Sequence, residues 1–232
     1  MLENDRQPLF SVVMPAYNAQ RFIRLTLESV FRQTVQDFEI VVVNDGSIDE
    51  TQEILESVKN AKMRVITQEN GGECAARNRG MREARGKYIS FLDSDDVWHE
   101  NHLEQARNFL EANPDCAWFS STYTWGNEIS AQDIARPDLS KDSAMLTNWY
   151  LEGCRLILPS CVTVRAEIVK EFPHLFQEGY KMFGDNLGWC KLAKKYPMIG
   201  IAATSTMLYR FWQGNASTTY NGCRNGVRTE PV

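Results

Sequence analysis

Histidine is scarce in this chain, at three residues in 232, and none stands at zinc-ligand spacing. The six cysteines (Cys74, Cys116, Cys154, Cys161, Cys190 and Cys223) are scattered and contain no C-x-x-C pair. Those two gaps argue against a zinc site. No signal-peptide pattern opens the sequence, so reduced thiols in a cytoplasmic protein are expected. No apolar run is long enough to span a bilayer, an expectation compatible with peripheral association at the inner face of a membrane. An excess of positive charge is missing too: the net charge is −5, which gives no electrostatic case for a nucleic-acid partner. Repeats and low-complexity tracts are likewise absent. What remains is 43% hydrophobic and 24% charged, the balance of a globular domain, with enough chain for one large α/β unit.

The pattern that is present alternates strand and helix signals as far as about residue 115. Residues 10–14 form a short apolar run stopped by Pro15. Helical spacing follows over 19–31, with Phe22, Leu25, Leu27, Val30 and Phe31 mostly on one face, and Asn18 stands where a cap would. Residues 38–43 ("FEIVVV") are β-branched and apolar on both faces, as in a central parallel strand. They run into "NDGS", where Ser47 and Glu50 have capping-box spacing for a second helix. A strand is expected over 63–67, a glycine turn and helix over 70–84, and a fourth strand over 87–92. Beyond residue 115 the pattern is less regular. Strands are expected over 116–125 and 156–164, a polar loop or excursion over 126–143, and a helix over 185–195. One or two strands should fill 199–212, with no clear element from Gln213 onward.

Strands alternating with helices imply β-α-β units and a parallel sheet covered on both faces. Ligands of such sheets bind at the carboxyl ends of the strands. Here those ends carry "PAYN", "NDGS" and "DSDD". The last of these raises a physical problem. "ISFLDSDDV" runs from apolar residues straight into Asp93, Asp95 and Asp96, whose like charges should repel. In an extended chain, Asp93 and Asp95 point to one side, with Ser94 and Asp96 opposite. Two carboxylates on one side suit a hard divalent cation such as Mg²⁺ or Mn²⁺. Asp96 is expected instead to cap a helix over 98–113.

The segments "VVMPAYN", "VVVNDGSIDET", "NGGECAARNRGMREARGKYISFLDSDD" and "GDNLGWCKLAKKYP" together resemble the glycosyltransferase family 2 domain. The likeness runs over about residues 10–217, between an N-terminal extension (1–9) and a polar tail (218–232). It implies a single α/β domain of the GT-A, Rossmann-like fold, with a mostly parallel central sheet flanked by helices. Residues 10–115 would form the nucleotide-sugar-binding half and 116–217 the acceptor-binding half. By the same resemblance, Pro15, Ala16 and Tyr17, with Asn18, hold the nucleotide base. Asp45 accepts the uracil N–H, and Arg77 lies near the diphosphate. Asp93 and Asp95 form the D-x-D pair for ribose and a diphosphate-bound Mn²⁺ or Mg²⁺, with Ser94 counted among the nucleotide-binding residues. Ser47 and Asp49 are assigned to the turn, and Arg79, Arg82 and Arg85 to a solvated helix face. The implied partners are a nucleotide-sugar donor, UDP-linked, and a carbohydrate, lipid-linked or protein acceptor.

In inverting members a base takes the proton of the acceptor hydroxyl. The family supplies it from an "E-D" pair; here the pair reads Gly184–Asp185, so Asp185 is the candidate and its Glu neighbour is missing. A second departure puts Trp212 where many members carry a His. That leaves the metal to Asp93, Asp95, phosphates and water, or makes Phe211 and Trp212 an apolar wall for the acceptor. Two rival readings stand beside this one. A nucleotide-sugar binding module without turnover would tolerate both departures. A haloacid-dehalogenase-like phosphatase would share "DSDDV", but it needs that motif on its first strand and a second acid where Trp189 stands.

Overall fold

The computed structural model describes residues 7–58, 60–126, 129–134, 144–149, 157–180 and 183–212. The first half is built as the sequence pattern requires. β1 (Phe10–Ala16), β2 (Phe38–Asn44), β3 (Met63–Thr67) and β4 (Tyr88–Phe91) lie parallel in the order β3-β2-β1-β4. The helices α1 (Ile23–Phe31), α2 (Thr51–Ser57) and α3 (Glu73–Glu83) connect them. Val12, Val13, Ile40, Val41, Val42 and Val43 are all fully buried, because a strand inside a parallel sheet has apolar neighbours on both faces. The helix α3 can lie close on β1 and β2 because Gly80 has no side chain. A Cβ there would stand 2.4 Å from a Val13 methyl.

Register carries the strand ends to one edge. Ala16 pairs with Asn44, and Val13 with Phe91, so the segments after β1, β2 and β4 leave the sheet side by side. Two capping expectations are corrected at this edge. Asn18 does not cap α1, which starts at Ile23 after a turn. It takes a left-handed backbone (φ 49°), accepts the Ile48 N–H on its side-chain oxygen at 2.9 Å and donates its own N–H to Ser47 Oγ at 3.0 Å. Ser47 is thereby spent on the loop and forms no capping box. Asp49 meets the first N–H of α2 instead, at Thr51, at 3.0 Å.

The second half changes strand direction. β8 (Val162–Arg165) runs antiparallel to β4, and β6 (Trp118–Gly126) antiparallel to β8. β9 is a single 13-residue strand, Met198–Arg210, parallel to β6, with register shifts where β6 passes Ser120, Thr122 and Tyr123. Two short strands, β5 (Val97–Trp98) and β7 (Met145–Asn148), lie antiparallel to β9. Among the described residues this is one nine-stranded sheet. The helices α4 (His102–Ala112), α5 (Glu167–Glu171) and α6 (Gly184–Lys195) complete the domain.

Several boundaries move from the sequence expectation. Trp98 belongs to β5, not to a helix; its indole N–H donates to the Ser160 carbonyl at 2.7 Å and its ring stacks on His102 at 4.1 Å. The strand expected from residue 156 begins at Val162, after a 3-10 turn at Pro159–Cys161, and residues 150–156 lie outside the described residues. Within the expected polar loop, Ala131–Ile134 form a 3-10 turn; its residues 127–128 and 135–143 lie outside the described residues. So do the tail from Gln213 and positions 1–6. Cys74, Cys116 and Cys161 are free thiols. No described helix is long and apolar enough to cross a membrane.

Candidate functional site

A cleft of about 390 Å³ opens at the carboxyl edge of β1, β2 and β4. Its walls include Pro15, Ala16 and Tyr17 from the end of β1, Asp45 from the end of β2, and Asp93, Ser94 and Asp95 beyond β4. The three polar loops singled out in the sequence therefore converge. Phe22, Asn70, Gly72, Glu73, Tyr209 and Trp212 also line the cleft; apart from Trp212, the sequence motifs had not assigned any of them to it. Tyr17 is half-exposed.

Asp45 builds one end. Its N–H donates to the Ala16 carbonyl at 2.8 Å, tying β2 to β1 past the sheet. Its Oδ1 accepts from Gln68 Nε2 at 2.7 Å and from the Gly71 N–H at 3.0 Å, while Oδ2 accepts from the Gly72 N–H at 2.8 Å. Gly72 reaches that bond with φ +85°, a conformation costly for other residues, and α3 starts directly after it. One acid thus shapes the loop that delivers α3 to the cleft.

Arg77, on α3, does not line the cleft. It is only 1% exposed, and its Nη2 donates to Asp93 Oδ1 at 2.6 Å. Its Nε and Nη1 are buried without a hydrogen-bond partner among the described residues. Burial pushes the Asp93 carboxyl up to about 6 against the pull of Arg77. The Asp93 N–H donates to Ser160 Oγ at 3.0 Å, and that hydroxyl donates in turn to Asp96 Oδ2 at 2.6 Å.

Asp96 overturns its assignment as a helix cap. The helix begins at His102 with Asn101 at its cap position, whereas Asp96 is 1% exposed and accepts the Arg210 N–H on Oδ1 at 3.1 Å. Burial, then the charges of Asp95 and Asp93, push its carboxyl well above the ordinary range. It is a buried junction joining β4, the 3-10 turn and the end of β9. Asp95 faces the cleft wall: its Oδ2 accepts the Trp212 indole N–H at 2.8 Å, and burial raises its carboxyl as well. The Trp212 ring packs on Phe22 at 5.0 Å, and Phe211 is not among the cleft residues, so the two do not form a joint wall there.

The residues present suit a hard cation. Asp93 Oδ2 and Asp95 Oδ1 accept no hydrogen bond from another described residue. Two carboxylate oxygens, completed by phosphate and water, match the habit of Mg²⁺ or Mn²⁺. Among the described residues no set of three or more His, Cys, Asp or Glu could hold a metal by itself.

Asp185 occupies the first turn of α6, and Phe183 before it takes a left-handed backbone (φ 62°). Burial raises its carboxyl, and the charge of Arg77 opposes that rise. Asp185 is not a wall of the cleft; Arg77 links it electrostatically to Asp93, since it attracts both. The missing Glu neighbour has a steric cause. A Cβ on Gly184 would stand 2.6 Å from Cys74 Sγ and 2.8 Å from the Gln177 carbonyl. Glu73, in the first turn of α3, brings a half-exposed carboxylate to the same region, 3.4 Å from Arg77 Nη2. No motif had pointed to it. Trp189, where the phosphatase reading needs an acid, is fully buried and donates its indole N–H to the Ile157 carbonyl at 3.1 Å.

Comparison with known proteins bears on the family and the fold. The model of the family described as "Glycosyl transferase family 2" matches residues 11–172. An uncharacterized glycosyltransferase of Haemophilus influenzae is 33% identical over 188 residues, covering 78% of this chain and 72% of its own. One from Rickettsia prowazekii is 31% identical over 195 residues, covering 79% of this chain. Among solved structures, S. aureus TarS 1–349 in complex with UDP-GlcNAc superposes with a TM-score of 0.76 at 25% identity, over 91% of this chain. The chain spans 61% of the length of the Rickettsia relative and 61% of the TarS structure.

Proposed function

The chain belongs to glycosyltransferase family 2, and from that premise we propose that it moves a sugar from UDP to an acceptor hydroxyl by one inverting displacement, with Asp185 as base. The observation that carries the reading is the layout of one cleft. Tyr17 and Asp45 stand with Asp93 and Asp95 around it, and the Arg77 charge acts on both Asp93 and Asp185. The binding of UDP-GlcNAc by TarS supports the choice of nucleotide.

The roles follow from the chemistry of each group. The Tyr17 ring can stack on a pyrimidine, and Asp45 Oδ2, with a single protein donor, can accept the uracil N–H. A divalent cation, Mn²⁺ or Mg²⁺, would be held by Asp95 and Asp93 and would neutralise charge on the diphosphate leaving group. Asp185 takes the proton of the acceptor hydroxyl as that oxygen attacks the anomeric carbon and the bond to the diphosphate breaks. A carboxyl raised by burial is a stronger base than one in water, and the charge of Arg77 opposes that rise.

Asp185→Asn tests the assignment. UDP binding should stay at the wild-type level and transfer should fall by roughly 10²–10⁴-fold, the usual worth of a general base. A wild-type protein that binds UDP with Mn²⁺ yet neither transfers nor hydrolyses any UDP-sugar would establish the binding-module alternative.

A further inference from the structure

Trp212 follows the end of β9, where the second half of the sheet reaches the cleft. Its contacts close a circuit around Asp95. The indole N–H donates to the Asp95 carboxylate at Oδ2 (2.8 Å), and the ring packs on Phe22 (5.0 Å, 57°). Phe22 in turn carries the Arg210 guanidinium 4.6 Å over its ring. Arg210 Nε then donates to the Asp95 carbonyl at 2.8 Å, and its backbone N–H holds Asp96 at 3.1 Å. Asp95 is gripped at both carbonyl and carboxylate by residues more than a hundred positions away in sequence.

An indole N–H can only donate, so this bond requires an acceptor and commits Oδ2 to it. A carboxylate oriented in this way loses rotamer freedom, and groups that orient metal ligands are worth a large share of metal affinity. The same ring brings no nitrogen lone pair to the site, which leaves an all-oxygen donor set.

We propose that Trp212 is a positioning residue for the metal–nucleotide site: its N–H claims Oδ2 of Asp95 and assigns Oδ1 to the cation. The inference rests on the reading of Asp95 as a metal ligand, and the experiment separates the two. UDP binding is measured by calorimetry in Mn²⁺ and in chelator, for wild type and for Trp212→Phe. The Phe variant keeps an aromatic ring, though a smaller one, beside Phe22 and removes the donor.

The expected result is a loss of about 10–100-fold in the Mn²⁺-dependent part of UDP affinity, well beyond any loss of metal-free affinity. An unchanged Mn²⁺ gain, or equal losses with and without Mn²⁺, overturns the proposal. Should Trp212→Phe fail to fold, Trp212→Gln and Trp212→Leu replace it. Gln retains an N–H donor and should keep most of the Mn²⁺ gain, whereas Leu should lose it; equal behaviour of the two overturns the proposal. A wild-type protein with no Mn²⁺ gain at all removes the metal reading and the role of Trp212 with it.

Discussion

Arg77 Nη2 donates to Asp93 Oδ1 at 2.6 Å, and the buried guanidinium lies 5.7 Å from the ring centre of Phe176. A buried cation and a half-buried anion share one bond, and the anion is still raised to about 6 by its surroundings. The consequence for stability has a definite sign. Between about pH 4, the ordinary aspartate value, and about pH 6, the unfolded chain has released this proton while the folded protein retains it. The contribution of Asp93 to the stability of the metal-free protein therefore falls as pH rises through that window and is flat above it. Denaturant unfolding of wild type and Asp93→Asn, measured without metal from pH 4 to pH 7, isolates the effect. The stability difference, wild type minus variant, should decrease with pH; a difference that increases or stays level rejects the assignment.

Asp96 separates a helix cap from a buried junction by magnitude. Loss of a cap costs typically about 1 kcal/mol. Asp96→Ala removes the acceptor of both the Ser160 hydroxyl and the Arg210 N–H in a site without solvent. Each buried donor left unsatisfied costs about 1–3 kcal/mol, so a loss of about 2–6 kcal/mol is expected, read from denaturant midpoints. A loss near 1 kcal/mol would leave the junction without energetic weight.

Gly184 stands where a side chain has no room. Gly184→Ala drives a Cβ to 2.6 Å from Cys74 Sγ and 2.8 Å from a backbone carbonyl. Overpacking of this kind costs about 1–3 kcal/mol, and because α6 starts here, transfer should fall with the displacement of Asp185. Adding Cys74→Ala should recover part of the stability, since the sulfur is one of the two obstacles. Full tolerance of Gly184→Ala alone would show that the packing against α3 yields freely.

Tyr17 is exposed enough for Tyr17→Ala to leave the thermal midpoint within about 1 °C, as surface substitutions do. UDP affinity should fall by about 5–150-fold, the range for losing one aromatic–base stack. Comparing UDP with a ribose-free diphosphate locates the loss: pyrophosphate binding should be unaffected by the substitution.

The parallel half of the sheet was readable because its signals are local. "FEIVVV" is buried on both faces whatever surrounds it, and the polar runs after residues 16, 44 and 92 mark the strand ends where the cleft forms. The short strands β5 and β7 were not readable, because two or four residues carry no usable period and their pairing is with the distant β9. Glu73 was invisible for another reason: an acid in the first turn of a helix has an ordinary explanation, and only the fold sets it beside Arg77.

Residue order by itself determined the family, the strand-helix alternation and the acids at the strand ends, since each depends on neighbours within a few positions. Tertiary structure alone decided what each acid does. Asp93 meets Arg77 across 16 positions, Asp96 meets Ser160 across 64 and Arg210 across 114, and Asp95 meets Trp212 across 117. The "DSDD" acids look alike in sequence because their repulsion is a local fact, whereas the donors that distinguish them arrive from other elements of the fold. Burial then acts on all three, and the partner each one finds determines whether it anchors an arginine, joins three elements, or is held by an indole at the wall of the cleft.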